Sequence, residues 1–441
     1  MPGPARPPRP HTLLVTGAGG AGRSTLAAAA ASAAARRGHR TLLLSQEPAD
    51  RLAALLGCAP PEHPGSPWEA APGLWTLQVD AVRAFRTALL GLQERLRGAL
   101  DHLGATPLDE DELLELPGAG EFALLRALTE ASAATGEEPG GVAEPGGAAE
   151  GERGPARPGG WDTVVADLPP VRQTVPLLAL PEVLPRYLRR LAPPERQAAR
   201  ALRPVLAQLA GVPVPGARLY ETTAEWQRAL AGVRRAVTGP HVRVRLVTEA
   251  GPLALRALGT ARAALALHGL PVDSVAVNRL LPDGSADPWL AEAAGTQRRA
   301  LRELRAECAA DGVPLLELPH LGHDPCGPGD LAALDLPAVP PDSPASTPAS
   351  AATAPGAAPQ VEDRLDEDGE LVWPLPVPGA DKAELGLVRR GDELIVDVGP
   401  HRRVLELPSA LRRCRVAGAA LEEGELRVRF VPDPGLWPTP S

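Results

Sequence analysis

Isoleucine, lysine and asparagine are almost missing from this chain, each occurring once, as Ile395, Lys382 and Asn278. Arginine, alanine, glycine and proline are abundant instead. We attribute the bias to codon usage, and it makes each rare residue worth inspecting. Long apolar runs are missing too, since none reaches the roughly 18–20 residues that cross a bilayer. Met1–Pro10 leads straight into a short strand pattern and a glycine loop, so it does not read as a signal peptide. The 4 cysteines, Cys58, Cys308, Cys326 and Cys414, form no CxxC pair, which argues against a zinc site and a disulfide framework. A net charge of −9 leaves no footprint for a nucleic-acid backbone. Together these absences predict a soluble, cytoplasmic protein with no nucleic-acid partner and no transmembrane segment.

What is present is enough apolar material for a real core: 44% of 441 residues, a length that suggests two or three domains. Two segments break the globular pattern. Residues 135–160 have almost no large apolar side chains and read as a disordered loop inside a domain. Pro337–Pro359 is a Pro/Ala/Ser/Thr stretch, semi-rigid in part, that reads as a boundary. With the acidic residues that follow, it makes 336–368 a linker. Before it, short apolar runs alternate with helical stretches. Thr12–Thr16, Thr41–Ser45, Trp75–Val79, Thr163–Ala166, Val244–Thr248, Ser274–Val277 and Leu315–Leu318 are the strand candidates. Ser24–Arg37 is an alanine-rich helix with Gly38 as its C-terminal cap. That alternation predicts an α/β, mostly parallel, doubly wound sheet over residues 11–335. Val175–Thr238 reads as an arginine-rich helical subdomain interrupted by prolines. After the linker the period changes to two, as in Leu394-Val396-Val398 and Leu426-Val428-Phe430, which predicts a small all-β sandwich over 369–431. We expect that module to fold independently and to be held at a distance.

Gly17-Ala18-Gly19-Gly20-Ala21-Gly22-Arg23-Ser24-Thr25 follows the first strand and opens the first helix. Glycines there let backbone N–H groups converge on an anion at a helix N-terminus, so this is a phosphate loop. It resembles the deviant Walker A motif, KGGxGK followed by Ser or Thr, of the ArsA-type ATPases that drive arsenite pumps and target tail-anchored proteins. Ser45-Gln46-Glu47-Pro48-Ala49 is similar to the family's switch I, STDPA. Trp161–Asp167 resembles the YDxVVxD strand, and Pro170 with Thr174 echoes switch II. Val275–Pro282 resembles the VVNRxLP segment.

The resemblance implies a P-loop NTPase-like fold, ATP or ADP as ligand and Mg²⁺ as its ion. It assigns nucleotide binding to Gly17, Gly19, Gly20, Ala21, Gly22, Arg23, Ser24, Thr25 and Asn278, the last as the reader of adenine. The Mg²⁺ would be held by Ser24 and, through water, Asp167. Glu47 stands where the family has the aspartate that positions the attacking water, one methylene longer. Three further positions depart from the pattern. Ala18 replaces the lysine that reaches a dimer partner's phosphates, Arg23 replaces the loop lysine, and Arg172 replaces the switch II glycine. Positioning and charge stabilisation supply nearly all of phosphoryl-transfer catalysis, so weak or absent hydrolysis is expected. A turn residue at a strand end is the bland reading of Asn278.

Gly369–Val431 resembles the small-heat-shock-like (α-crystallin-type) domain appended to some bacterial ArsA-type ATPases, through stretches such as Glu370–Pro376 and Gly424–Phe430. Two functions are open at this point: a nucleotide-dependent scaffold or regulator, and an active anion-transporting or client-targeting ATPase. With one phosphate loop per chain, a two-site arrangement requires a homodimer or a heterodimer with an intact ArsA-type relative. The cysteines do not match the family's arsenite-binding thiols. His320, His323 and Cys326 read as a loop, and Arg186–Arg203 as solvated helix faces.

Overall fold

The computed structural model describes residues 10–94 except 64, 81, 85, 88, 89 and 92, together with 118–133, 160–191, 231–239, 241–270, 272–337 and 360–437. Residues 135–159 of the expected loop, residues 192–203 of the arginine-rich stretch and positions 338–359 of the linker lie outside them. An eight-stranded sheet forms the larger part, in the order β3-β4-β2-β5-β1-β6-β7-β8. Its strands are β1 (His11–Gly17), β2 (Thr41–Ser45), β3 (Trp68–Ala71), β4 (Leu74–Gln78), β5 (Thr163–Asp167), β6 (Val242–Glu249), β7 (Val272–Leu280) and β8 (Leu315–Pro319). Each pairing is parallel except β3–β4, whose short antiparallel hairpin ends one edge. Leu13, Leu14 and Val15 are fully buried, as are Val164, Val165 and Ala166. Strands covered on both faces read as unbroken apolar runs, which is how parallel sheets appear in sequence.

Helix α1 (Arg23–Arg36) lies over β1, β2 and β5. Its Ala27–Ala31 run is fully buried, and these small side chains let the helix sit close to the sheet. Gly38, at φ +89°, closes it by donating to the Ala35 carbonyl, as expected of a C-terminal cap. Other helices in this part include α2 (Ala49–Leu56), α3 (Ala119–Ala133), α4 (Val171–Leu191), α5 (Pro252–Leu267), α6 (Pro288–Ala310) and α7 (Gly327–Ala333). The prolines expected to interrupt the helical section do not all do so. Pro181 and Pro185, and with them Pro176, lie inside α4, where each removes one backbone hydrogen bond without ending the helix, while Pro193 and Pro213 lie outside the described residues.

The C-terminal module is all antiparallel, with sheets β14-β15-β10-β9 and β11-β12-β13. Its strands are β9 (Glu362–Arg364), β10 (Glu370–Pro376), β11 (Leu385–Arg390), β12 (Glu393–Val398), β13 (His401–Glu406), β14 (Cys414–Glu422) and β15 (Glu425–Pro432), with a one-turn helix α8 (Ser409–Arg412). Leu371, Trp373, Leu375, Leu394, Val396, Val398, Leu426, Val428 and Phe430 fill its core. The alternation of period two is thus a sandwich, as predicted. Glu362–Arg364, within the span expected to be linker, is an edge strand, and Glu362 accepts from Arg427 at 2.5 Å.

The module is not held at a distance. Ala263 and Leu267, one turn apart on α5, belong to its core, while Leu258, Ala261, Ala264 and Leu265 of the same helix belong to the core beside the sheet. Arg186 on α4 donates twice to the Glu393 carboxylate, both at 2.9 Å, and Arg403 on β13 donates to Glu182 at 3.2 Å. Thr260 donates to Glu384 at 2.8 Å. Gly259 meets Gly379 backbone to backbone, and a Cβ on Gly259 would lie 2.4 Å from the Gly379 carbonyl oxygen.

Candidate functional site

At the C-terminal end of β1 the chain leaves the sheet between β5 and β6, where β2 and β6 lie on opposite sides. Such a reversal of strand order opens a crevice for ligands in doubly wound sheets. The glycine loop occupies it. Gly17 passes so close to β6 that a Cβ would fall 1.9 Å from the Val247 carbonyl oxygen, so no other residue fits there. Gly22, at φ +92°, begins α1 with no side-chain cap, which leaves the first-turn N–H groups facing the loop. Gly19, Gly20 and Ala21 precede this helix end, and Ser24 and Thr25 lie in its first turn.

Two side chains from the end of β7 brace the loop from behind. Asn278, 6% exposed, donates from Nδ2 to the Ala21 carbonyl at 2.9 Å, and a Cβ on Gly22 would collide with that nitrogen at 2.3 Å. Its amide nitrogen is therefore committed to the loop, and Oδ1 remains as its acceptor. Arg279, in the left-handed region at φ +57°, donates from Nη1 to the Gly20 carbonyl and to Glu249, each at 2.9 Å. Sequence reasoning gave Arg279 no role, although it sits next to Asn278 in the same motif. An open cleft beside this brace is lined by Gly22, Thr25, Asn278, Pro319 and His320. The loop predicted at His320–Cys326 forms its rim. There Asp330 accepts from the Cys326 N–H and pairs with His323, both at 2.9 Å.

On the other side of the loop lies Asp167, 5% exposed at the end of β5. Burial raises its carboxyl above the ordinary range against the hydroxyls of Ser24 and Ser45 and the charge of Arg23; Glu47 pushes the same way as burial. Ser45 donates to Asp167 Oδ2 at 2.8 Å, while Oδ1 accepts no hydrogen bond. Ser24 donates to Glu47 at 3.1 Å, and Glu47 also pairs with Arg51 at 3.0 Å. A buried carboxylate oxygen that accepts no hydrogen bond, near a serine hydroxyl and a second carboxylate, is a donor set that suits Mg²⁺.

Arg23 does not extend over the loop mouth. Its Nη1 donates to the Leu168 carbonyl and lies 3.9 Å from Asp167 Oδ1. Ala18 presents a methyl group, and its N–H donates to Val247 at 3.0 Å. Arg172 is the second residue of α4, near enough to His401 of the β module that its charge, after burial, lowers the imidazole pKa. Thr174 is fully buried and donates to the Pro169 carbonyl at 2.7 Å, which fixes the turn after β5.

A phosphate loop between a parallel strand and a helix, facing a carboxylate on the neighbouring strand, defines a P-loop NTPase-like protein. The anion-transporting ATPase description matches residues 11–335, and the HSP20-like domain found in ArsA matches residues 368–430. The chain belongs to the ArsA family of anion-transporting ATPases and carries that family's HSP20-like domain at its C-terminal end. It is 49% identical over 428 residues to an uncharacterized protein of Streptomyces coelicolor, covering 97% of this chain and 99% of that one. A Mycobacterium tuberculosis protein is 32% identical over 470 residues, covering 98% and 99%. A protein of Aquifex aeolicus named putative arsenical pump-driving ATPase 1 is 22% identical over 431 residues, covering 94% and 98%. Among the described residues no helix is long and apolar enough to cross a membrane, and no group of three metal-ligating side chains occurs.

Proposed function

We propose that this chain binds adenine nucleotide, ATP or ADP, at the β1–α1 loop and hydrolyses it weakly or not at all, serving as a nucleotide-dependent scaffold or regulator. The phosphates would meet the N–H groups of Gly19–Thr25 at the start of α1, and the base would enter the cleft beside Asn278, whose Oδ1 is free to accept from an exocyclic amine. Mg²⁺, held by Ser24 and through water by Asp167, would neutralise phosphate charge when bound. The partner would be a second copy or an intact relative, since each chain supplies one loop.

The observation that carries this reading is the placement of the four altered residues. Ala18 brings no charge, Arg23 turns to Leu168, Glu47 is engaged by Ser24 and Arg51, and the charge of Arg172 is felt by His401 of the β module. None of them aims a cation or a free base at the loop mouth. Catalysis of phosphoryl transfer depends on such groups, each good donor being worth roughly 10²–10³ in rate. The other reading, an ATPase that turns over as a dimer, draws on the name of the Aquifex relative and on the carboxylate of Glu47 beside Ser24. Calorimetry with ATP and ADP, followed by a turnover assay, separates the two. We expect binding with turnover far below the roughly 1 s⁻¹ that marks the low end of ordinary enzymes. Turnover at or above that rate refutes the regulator, and no heat at millimolar nucleotide refutes nucleotide binding.

A further inference from the structure

The carboxylate that would face a metal ion already has a cation beside it. Arg23 Nη1 stands 3.9 Å from Asp167 Oδ1, with the two side chains 17% and 5% exposed. The guanidinium is fixed from a second direction by the Leu168 carbonyl, one residue past Asp167. A planar fork can do both things at once, bonding a carbonyl while it faces a carboxylate; the compact ammonium of lysine is a single point charge. The acid's other oxygen is taken by Ser45. What Asp167 Oδ1 lacks in hydrogen bonds it gains in a neighbouring positive charge.

This arrangement sets two cations against each other. A divalent ion reaching Asp167 meets the like charge of Arg23 in a poorly solvated place, where such repulsion is screened least. Arg23 is tethered to the chain and needs no concentration to be present.

We propose that Arg23 is the resident counter-ion of Asp167, competing with Mg²⁺ for that carboxylate, so that the loop takes its nucleoside di- or triphosphate with little dependence on Mg²⁺. The ligand in this statement rests on the nucleotide reading above. The counter-ion role rests on the ion pair alone, and two titrations of the full-length protein keep them apart.

In the first, Mn²⁺ alone is titrated into wild type, Arg23→Gln and the double variant Arg23→Gln/Asp167→Asn, with free ion read by electron paramagnetic resonance. Arg23→Gln is expected to bind Mn²⁺ at least about tenfold more tightly than wild type, and the double variant to lose the gain. Equal binding by wild type and Arg23→Gln, or binding by neither, overturns the proposal. Arg23→Lys keeps the charge without the fork and is expected to fall between them; it is the variant to read if circular dichroism shows Arg23→Gln unfolded. In the second titration, calorimetry measures ATP affinity in Mg²⁺ and in EDTA. Wild type is expected to differ by no more than about threefold between the two, and Arg23→Gln to lose about tenfold in EDTA and recover it with Mg²⁺. A wild type that loses about tenfold or more on Mg²⁺ removal overturns the proposal. Failure to bind ATP in either buffer refutes the nucleotide reading instead, and the Mn²⁺ titration alone then decides the role of Arg23.

Discussion

Arg186 and Glu393 meet face to face, guanidinium against carboxylate with two hydrogen bonds of 2.9 Å, although 207 residues separate them in the chain. The pair joins α4, the helix that follows the phosphate-site carboxylate, to the first residue of β12 in the HSP20-like module. At 17% and 13% exposure it is shielded from solvent, so it contributes more than a surface pair.

Arg186→Ala is expected to destabilise the full-length protein by about 1.5–3 kcal/mol, the range for hydrogen bonds to charged groups. A double-mutant cycle with Glu393→Ala, read by denaturant unfolding, checks it. Additive losses would mean that the two residues do not interact in solution.

The same joint responds to acid. His268, at the end of α5, has its imidazole pKa lowered to about 3 by burial first, then by the charges of Arg403 and His401. Glu182 lies on its other side, 4.0 Å from Nδ1. A histidine held neutral when folded takes up a proton on unfolding, so its contribution is complete above its unfolded pKa near 6.5 and is lost as the pH falls below it. Between pH 7 and pH 5 the protein is expected to lose on the order of 2 kcal/mol through this group. His268→Gln is expected to flatten that slope. A melting series against pH that is equally steep in wild type and variant would refute the assignment.

Removing the module uncovers apolar surface. A fragment ending at residue 337 exposes Ala263 and Leu267 and takes Arg403 from Glu182 and Glu393 from Arg186. It is expected to melt below the full-length chain and to self-associate in sedimentation. An unchanged melting temperature and a monodisperse fragment would show that the docking adds nothing to stability.

Asn278→Ala removes both the brace on Ala21 and the acceptor toward the cleft. We expect adenine nucleotides to weaken by about 1–3 kcal/mol, and inorganic triphosphate by less. Equal weakening of the two would mean that the asparagine serves the loop alone and does not read the base.

Much of the sheet was legible because a doubly covered strand is apolar throughout and glycine marks its end. Thr12–Thr16 was read where His11–Gly17 forms, and Trp75–Val79 where Leu74–Gln78 forms. The short β3 and β9 were not read. Trp68–Ala71 is half exposed and β9 is acidic, so neither has the run of apolar residues that marks a strand. Prolines misled at α4, because packing on the sheet and the β module holds a helix that local preference alone would break. In the site, the loop glycines were read from their place between a strand and a helix, and Asn278 from the resemblance of its segment to the family's VVNRxLP. The direction of Arg23 was not, because the letter shows a charge and nothing about which carbonyl it will meet. The docking was hidden as well. Gly259 and Gly379 are two among 45 glycines, and only the folded chain brings them together.

Those two glycines limit how the two halves of the molecule can change over time. Neither position accepts a methyl group while the other's backbone stays in place, so they cannot drift independently. A module taken from one relative and joined to the ATPase part of another would seat only if both bring glycine to this crossing. In this chain the two positions are therefore constrained as a pair, and a side chain at either one requires the other backbone to give way.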